Sequence, residues 1–358
     1  MKTALLFFAC LHGLIHLMGF LKAFKLAEIQ QLTQPISTIQ GVFWLIGTLL
    51  FLAFAVASFL EKPLAGYLGL AAVVLSQVLI FTVWQDAKFG STANLILLFV
   101  AIQMIYQANW EKKITSEKAV FKESGSIPDL RKIEELPPAI QKWLKASGYR
   151  MESPMISAEI HQTAQMKMKP DQTNWKEAQA FQVSSLDPLG FHWQVEMDMI
   201  PGIKIFGRDQ FKGGNGEMLI RIGAAIPIVD ESGDKINEGS LQRFLGELVW
   251  MPSLAFHPAI SWKEIDQNTA EATLRINQTS GSGTFHFNEA GDFVRFEALR
   301  FYENKKDSKR FPWVLKVEEY RNFEGVRIPS TMNATWELPE GDWTWLRLQI
   351  DSIKYTYN

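Results

Sequence analysis

Two histidines four residues apart, His12 and His16, are the residues whose types and spacing come closest to a chemical site. In a helix, side chains at i and i+4 lie on the same face. Three hypotheses fit this pair: neutral imidazoles hydrogen-bonded between helices, a proton or quinone-type site, or a metal site, because the spacing also suits two metal ligands. Two ligands do not complete a metal site, and a third would have to come from Gln77, Asp86 or another helix.

Other polar residues in the first 110 residues can join this pair. Ser76, Gln77 and Asn94 lie inside apolar segments, where interhelical hydrogen bonds are the expected role. Asp86 and Lys88 lie in a short connection, where they form either a solvated turn or a charged lid over the histidine face. We therefore predict a membrane polar site, with no metal assigned to it, whose members are His12, His16, Gln77, Asp86 and Lys88.

Four apolar segments contain or flank these residues, and they predict an all-α four-helix membrane bundle over residues 1–110. A helix rises 1.5 Å per residue, so about 20 residues cross a hydrocarbon layer of about 30 Å. Because the later connections have only a few residues, neighbouring helices must be antiparallel. The predicted spans are residues 3–21, 40–60, 64–84 and 89–109.

Residues 111–150 are predicted to form a polar linker with one short amphipathic helix. The segment 111–127 is charged and contains Ser124-Gly-Ser126, which favours an exit from the membrane followed by a hinge. Further on, Ile140, Trp143 and Leu144 fall on one face of a helix. We expect this helix to pack on the domain that follows.

Residues 151–358 are predicted to form an α+β soluble domain: a curved antiparallel sheet, or half-barrel, around one or two helices. Phe191, Trp193 and Val195 alternate with polar residues, which is the pattern of a half-buried strand. Similar stretches separated by turn signals predict about ten strands. One helix interrupts them, with Ser240 as its predicted N-cap and an apolar stripe of Leu241, Phe244, Leu245, Leu248 and Val249.

The curved sheet would present a face rich in Trp and Met. Aromatic side chains bury large areas, and methionine adapts to irregular ligands. We predict an apolar ligand site on this face, with ordinary core packing as the alternative for each residue. Its predicted members are Trp193, Met197, Met199, Trp250 and Trp313.

Charged residues on neighbouring strands of the same domain suggest a second kind of cluster. Arg208-Asp209, Glu217 and Arg221 could form a buried charge network. Such networks are common without catalysis, so the expected role is structural.

Composition excludes several classes of protein. The net charge of −2, without a basic stripe, does not indicate nucleic acid binding. The one cysteine, Cys10, cannot form a disulfide framework or a cysteine metal site within the chain. No catalytic signature is found, so the sequence assigns neither an enzyme activity nor a cofactor.

Several motifs resemble known bacterial families. His12-Gly-Leu-Ile-His-Leu-Met-Gly-Phe20, with residues 75–80 and 86–90, resembles a four-span DoxX-like module. The second half resembles an uncharacterised bacterial domain-of-unknown-function family whose soluble domain is similar to the LolA-like half-barrel. Its motifs are Gly207-Arg-Asp-Gln-Phe211, Gly214-Asn-Gly-Glu-Met218, Pro227-Ile-Val-Asp230, residues 243–252 and Trp262-Lys-Glu-Ile-Asp266. The resemblance implies a fold and an apolar or lipid ligand, and it supplies no catalytic residues.

Three functions fit these features. The first is membrane-anchored binding or transfer of a lipid or other apolar ligand by the β-domain, with membrane lipid and a lipid-modified or envelope protein as partners. The second is a membrane redox or proton-linked component that uses His12 and His16. The third is a non-enzymatic envelope scaffold or docking protein.

The expected location is the bacterial inner membrane, which the chain would cross several times. Two criteria disagree on the side of the β-domain. Lysines near the span ends favour the cytoplasm, since one side has Lys2, Lys62, Lys112, Lys113 and Lys118 and the other has Lys22, Lys25 and Lys88. The LolA-like resemblance implies the other side, so the side stays open.

Overall fold

A computed structural model of the chain describes residues 2–122, 128–200 and 202–358. The chain forms two compact units. We call residues 1–112 with 223–225 the helical unit, and residues 113–222 with 226–358 the sheet unit. The partition into domains at residues 110 and 150 remains a prediction.

The described part of the helical unit has four long helices close to the predicted spans, and all four are long and apolar enough to cross a membrane. Ser37 and Gln40 cap the start of the second one reciprocally, in a capping box. A one-turn helix lies between the third and the fifth. The bounds are α1 (Lys2–Ala23), α2 (Thr38–Phe59), α3 (Ala65–Thr82), α4 (Trp84–Ala87) and α5 (Gly90–Lys122).

The helical unit buries polar groups and exposes apolar ones, the reverse of a water-soluble bundle. His16 and Asn94 are each 2% exposed, whereas Phe7 is 69% and Leu95 is 67% exposed. Buried Phe51, among other residues, fills the rest of the interior. This distribution is typical of helices surrounded by hydrocarbon, where ionisable side chains face the bundle interior.

The prediction of a hinge directly after the fourth span is wrong for its first part. Helix α5 continues through the charged residues from Glu111 to Lys122, because Glu and Lys are good helix formers. Residues 123–127 of the predicted hinge lie outside the described residues.

The described residues of the sheet unit form one 13-stranded antiparallel sheet, rather than about ten strands. Its order is β6-β5-β4-β3-β2-β1-β13-β12-β11-β10-β9-β8-β7, so the first and last strands pair in the middle. The strands are β1 (Met155–Met166), β2 (Lys176–Leu186), β3 (Leu189–Ile200), β4 (Ile203–Lys212), β5 (Asn215–Ile222), β6 (Ile226–Ser232), β7 (Ile260–Asp266), β8 (Thr269–Ile276), β9 (Thr279–Phe287), β10 (Phe293–Phe301), β11 (Arg310–Phe323), β12 (Val326–Leu338) and β13 (Gly341–Tyr357).

Two helices accompany the sheet. The amphipathic helix α6 (Pro138–Ala146) buries Ile140, Trp143 and Leu144 as the spacing predicts. Helix α7 (Asp234–Gly246) joins the two edge strands, and 3₁₀ turns follow it at Glu247–Trp250 and Pro252–Phe256. It starts earlier than predicted, since Ser240 lies inside it and Gly233 is its N-cap.

The sheet is curled around α7, as predicted. Strand β5 is second and β9 eleventh in the order, so nine spacings of about 4.8 Å would place them about 43 Å apart in a flat sheet. Helix α7 contacts both strands, although a helix is only about 10 Å wide. Glycines allow the approach, because a Cβ at Gly216 would meet Ser240 and one at Gly281 would meet Gln242. We call the face that α7 covers the concave face.

Candidate functional site

The histidines predicted to share a face reach two other helices of the bundle. The Nε2 atom of His12 lies 2.9 Å from Oδ1 of Asn94 on α5. The Nε2 atom of His16 lies 2.7 Å from Oγ of Ser76 on α3. The hydrogen bonds between helices that we expected are therefore present.

These bonds continue into one chain of contacts. Oγ of Ser76 lies 3.0 Å from Oδ1 of Asn94, and Nδ2 of Asn94 lies 3.0 Å from Oε1 of Gln77. Gln77 in turn contacts Oγ of Ser91 at 3.0 Å. We call the six residues His12, His16, Ser76, Gln77, Ser91 and Asn94 the polar network.

Helix α2 closes the network with apolar groups. The ring of His16 lies 5.1 Å from that of Trp44 and 5.3 Å from that of Phe51, measured between centroids. Gly47 permits this packing, because a Cβ at that position would lie 3.3 Å from Cδ2 of His16. The imidazoles are thus held between an aromatic wall and hydrogen-bonding partners.

A half-enclosed pocket of about 350 Å³ opens beside the two histidines, and we call it the bundle pocket. His12, His16, Gln31 and Asp86 supply its polar lining. Most of the other lining is apolar: Ile15, Met18, Leu32, Trp44, Ile80 and Phe89. Mainly apolar walls with a few converging polar groups are typical of a site for a small ligand.

Asp86 fixes the rim of the bundle pocket. Its carboxylate accepts hydrogen bonds from the backbone N–H of Thr33 at 2.6 Å, the hydroxyl of Thr33 at 2.7 Å and the backbone N–H of Gln34 at 2.9 Å. The bonds from Gln34 and Thr33 hold the pKa of Asp86 below its usual value. The carboxylate therefore stays ionised and pins the loop between α1 and α2.

The predicted membrane polar site is thus brought together in part. His12 and His16 line the bundle pocket with Asp86, and Gln77 lies behind them in the polar network. Lys88 instead places its Nζ 5.4 Å from the ring centroid of Phe89. The surroundings of the histidines also include Asn94, Ser76 and Trp44. Spacing in the sequence does not reveal these contacts, because they depend on how the helices pack.

The residues predicted to bind a ligand in the β-domain lie mostly in its core. Trp193, Met197, Trp250 and Trp313 are buried, whereas Met199 is 47% exposed near the end of β3. Two of the indole N–H groups have partners, since Trp193 donates to Oε1 of Gln162 at 3.0 Å and Trp250 donates to the carbonyl of Pro329 at 3.1 Å. In this structure α7 and the turns after it cover the concave face.

A buried ion cluster ties α7 to the concave face. Arg243 donates to Oδ2 of Asp209 on β4 and to Oε1 of Glu247, each at 2.8 Å. Its guanidinium also lies 4.6 Å from the ring centroid of Trp193. Burial raises the pKa of Asp209, although the positive charge of Arg243 acts to lower it.

The single network expected around Arg208-Asp209 is instead two clusters on opposite faces. Successive residues of a strand point to opposite sides, so Asp209 meets Arg243 while Arg208 faces away. Arg208 pairs with Glu217 at 2.9 Å and with Glu117 at 3.2 Å. Nε2 of His192 lies 3.2 Å from the same Glu117 carboxylate, and burial lowers the pKa of His192 despite that partner.

Arg300 is a second cation on the concave face, in addition to Arg243, and sequence analysis missed it. Its guanidinium lies 4.2 Å from the ring centroid of Trp313 and 5.7 Å from that of Trp336. Its buried Nε has no hydrogen-bond partner among the described residues. Burial, and after it the charge of Arg243, lowers the pKa of Arg300. The alternation Phe296, Ala298, Arg300 could have placed it on this face.

A metal centre finds no support in the geometry. Among residues 2–122, 128–200 and 202–358, no group of three or more His, Cys, Asp or Glu side chains is arranged to hold an ion. The two histidines instead direct one nitrogen each to the side chains of Asn94 and Ser76.

Comparison with known proteins supports part of the predicted resemblance. The model of a family of unknown function, DUF6920, matches residues 134–355, so the predicted uncharacterised domain family is confirmed. The match lies outside the first 110 residues, so the DoxX-like resemblance stays a prediction. No curated protein matches the chain.

One solved structure with a related description is the crystal structure of a LolA superfamily protein from Nitrosomonas europaea. It is 14% identical to this chain, with a TM-score of 0.35. The match covers 61% of this chain and 93% of that protein. Similarity at this level does not show a shared function.

Proposed function

The chain belongs to the DUF6920 family, and because that family has no known function we propose one from the geometry of the chain itself. We propose that the protein is a membrane-anchored binding protein for an apolar ligand. The four long helices form the anchor, and the bundle pocket binds the ligand. Nδ1 of His12, which takes part in none of the contacts described above, hydrogen-bonds its head group, and the ring of His16 lines the pocket beside it.

The bundle pocket is the observation that carries this proposal. It joins apolar walls to two imidazoles in a volume of about 350 Å³, within the range of small-ligand sites of about 300–1,000 Å³. The polar network behind the imidazoles fixes their positions before a ligand arrives. A rigid site loses less conformational entropy on binding.

The charge of the pocket selects the class of head group. Asp86 is the charged residue among the described residues that line it. An anionic head group would be repelled by this carboxylate. We therefore expect an uncharged head group with a hydroxyl or carbonyl oxygen, attached to an apolar body.

Mass spectrometry of organic extracts from the purified full-length chain tests this function. The double variant His12→Leu/His16→Leu loses the polar partner of the head group, at about 0.5–1.5 kcal/mol, and the imidazole that lines the pocket beside it. It should retain about fivefold less ligand per protein than the unsubstituted chain. Thr48→Val is the matched control, because it removes a buried hydroxyl bonded to the Trp44 carbonyl on α2, outside the pocket lining.

Both variants must show the helix content and elution volume of the unsubstituted chain. Equal retention of an extracted compound by the chain and the histidine double variant would remove the bundle pocket as its site. A compound lost equally from Thr48→Val would point to general loosening of the bundle.

A second candidate is an apolar-ligand site on the concave face of the sheet unit. Arg300 favours it, because a buried cationic donor without a partner is suited to an acceptor oxygen. A ligand there would have to displace part of α7, and its head group would carry a negative charge that pairs with the guanidinium of Arg300. The same extracts separate the two candidates by the charge of the head group.

Arg300→Leu is the variant for this second candidate, with the exposed Arg321→Leu as its control. Loss of an anionic compound from the first variant alone would support the concave face. Retention of every extracted compound by both variants would remove it. A protein that carries no compound in any sample would favour the docking-protein hypothesis.

A further inference from the structure

Hydrogen-bond donors and acceptors can be counted along the polar network. Nδ1 of His16 lies 2.9 Å from the backbone carbonyl of His12, so this nitrogen must carry a proton. Nε2 of His16 contacts the Ser76 hydroxyl, which also contacts Oδ1 of Asn94. A serine hydroxyl has one proton and cannot donate to both neighbours.

One added proton resolves the conflict. With both nitrogens of His16 protonated, Nε2 donates to Ser76 and Ser76 donates to Oδ1 of Asn94. His12 then donates from Nε2 to the same oxygen, and Asn94 donates onward to Gln77. Each contact of the network pairs a donor with an acceptor in this state.

A second arrangement satisfies the network without that proton. A half-turn of the Asn94 and Gln77 amides exchanges their oxygen and nitrogen atoms with little change in shape. Asn94 then donates to Nε2 of His12 and to Ser76, and Ser76 donates to Nε2 of His16. Gln77 donates to Asn94, and the Ser91 hydroxyl donates to Gln77. Both imidazoles are now neutral, with their protons on Nδ1.

We propose that the polar network is a proton-binding site inside the bundle, which takes up one proton on His16 while two amides and two hydroxyls rotate and His12 changes tautomer. The proton enters on Nε2 of His16, and the rotations carry no net charge along the chain. The two states have the same heavy-atom contacts, and each of these contacts pairs a donor with an acceptor in both states. The proposal does not depend on the ligand.

The surroundings of His16 contain few other groups that titrate. His12 lies on the same helix, and α2 contributes Trp44 and Phe51, which do not titrate near neutral pH. Ser76 faces it from α3, and Asp86 lines the same pocket. The carboxylate of Asp86 is ionised in both states, so it favours the added positive charge.

His12 keeps its charge while its tautomer changes. When His16 loses its proton, His12 releases its own proton from Nε2 and takes another up on Nδ1, by exchange with solvent through the bundle pocket that it lines. The ¹⁵N chemical shifts of imidazole nitrogens distinguish both tautomers and the cation. The measurement uses the full-length chain in lipid bilayers with ¹⁵N-labelled histidine, titrated from about pH 4 to about pH 9. Single His12→Asn and His16→Asn variants assign the signals.

We expect His16 to change from cation to the Nδ1–H form, with His12 changing tautomer at the same pH. Ser76→Ala should uncouple the two events, Ser76→Thr should restore the coupling, and Thr48→Val, which removes a buried hydroxyl outside the network, should leave it intact. A His12 that keeps one tautomer while His16 titrates would overturn the proposal. A His16 that stays neutral over the whole range would overturn it as well.

Discussion

The helical unit and the sheet unit bury polar groups in different ways. The polar network of the helical unit consists of imidazoles, amides and hydroxyls, which reverse their hydrogen bonds by rotation. The sheet unit buries permanent charges instead, with Arg243 between Asp209 and Glu247 and with Arg208 between Glu117 and Glu217. Fixed ion pairs hold one arrangement, whereas a neutral network can switch between two. We therefore place the proposed function in the bundle, and we give the buried charges of the sheet unit a structural role.

Removing a fixed charge should have the largest effect on stability. Arg243→Leu leaves the carboxylates of Asp209 and Glu247 buried without their cation, which costs about 3–5 kcal/mol. Urea unfolding of the full-length chain, followed by the fluorescence of the tryptophan-rich sheet unit, measures it. Arg321→Leu, which breaks an exposed pair with Glu319 at 3.8 Å, should change the free energy of unfolding by less than about 1 kcal/mol. Similar losses in both variants would show that the buried cluster does not lock α7.

A smaller effect on the free energy of unfolding is expected from the protonation of His257 at low pH. Its Nδ1 accepts the backbone N–H of Ala259 at 3.0 Å, and burial, followed by the charge of Arg131, lowers the pKa of His257 from 6.5 to about 4. Between these two pKa values the unfolded chain binds more protons than the folded chain. Stability therefore falls as the pH drops below about 6.5, and the part due to His257 is about 1–2 kcal/mol between pH 7 and pH 5.

The variant His257→Asn should remove this part of the pH dependence. The test compares the free energy of unfolding of the two proteins at pH 7 and at pH 5. An identical difference between the two pH values in both proteins would show that His257 carries no proton linkage.

Inside the bundle the effect on stability should also be smaller than that of Arg243→Leu. Asn94→Leu removes three hydrogen bonds at the centre of the polar network, yet hydrogen bonds between membrane helices contribute only about 0.6 kcal/mol each on average. We expect a loss of about 2 kcal/mol or less, measured by thermal unfolding of the bundle in detergent. A loss as large as that of Arg243→Leu would make the network a structural lock, and the contrast between the two units would fail.

The sequence predicts those features that depend on periodicity. The i, i+4 spacing of His12 and His16 placed them on one face, and the length of the apolar segments placed the helix ends within a few residues, except for the end of α5 at Lys122. Strand alternation revealed the sheet. The same alternation places Arg208 and Asp209 on opposite faces, because they are neighbours in one strand, and the expectation of a single charge network overlooked this. The start of α7 was missed because Asp234 to Gly239 is polar and contains Gly239, a weak helix former.

Other features could not be predicted from the sequence, because they depend on how distant parts of the chain pack. Asn94 lies 82 residues from His12, and no local pattern joins them. The prediction of a ligand site on the Trp- and Met-rich face stays a hypothesis, because the same composition builds the core that α7 covers. Helix α7 can cover this face because Gly216 on β5 and Gly281 on β9 have no side chains that would keep the helix away.

Saturable photolabelling would test most directly whether the bundle pocket is the ligand site. An apolar probe with an uncharged hydroxyl head group and a diazirine is bound to the full-length chain in nanodiscs, and labelled peptides are mapped. The account predicts saturable labels at Met18 and Ile80, which line the pocket, with loss of saturation in His12→Leu/His16→Leu. Phe7 on α1 and Phe99 on α5, which are 69% and 55% exposed, should give only non-saturable labels. Saturable labelling on β3 or β11, with none at Met18 and Ile80, would contradict the account and move the site to the concave face.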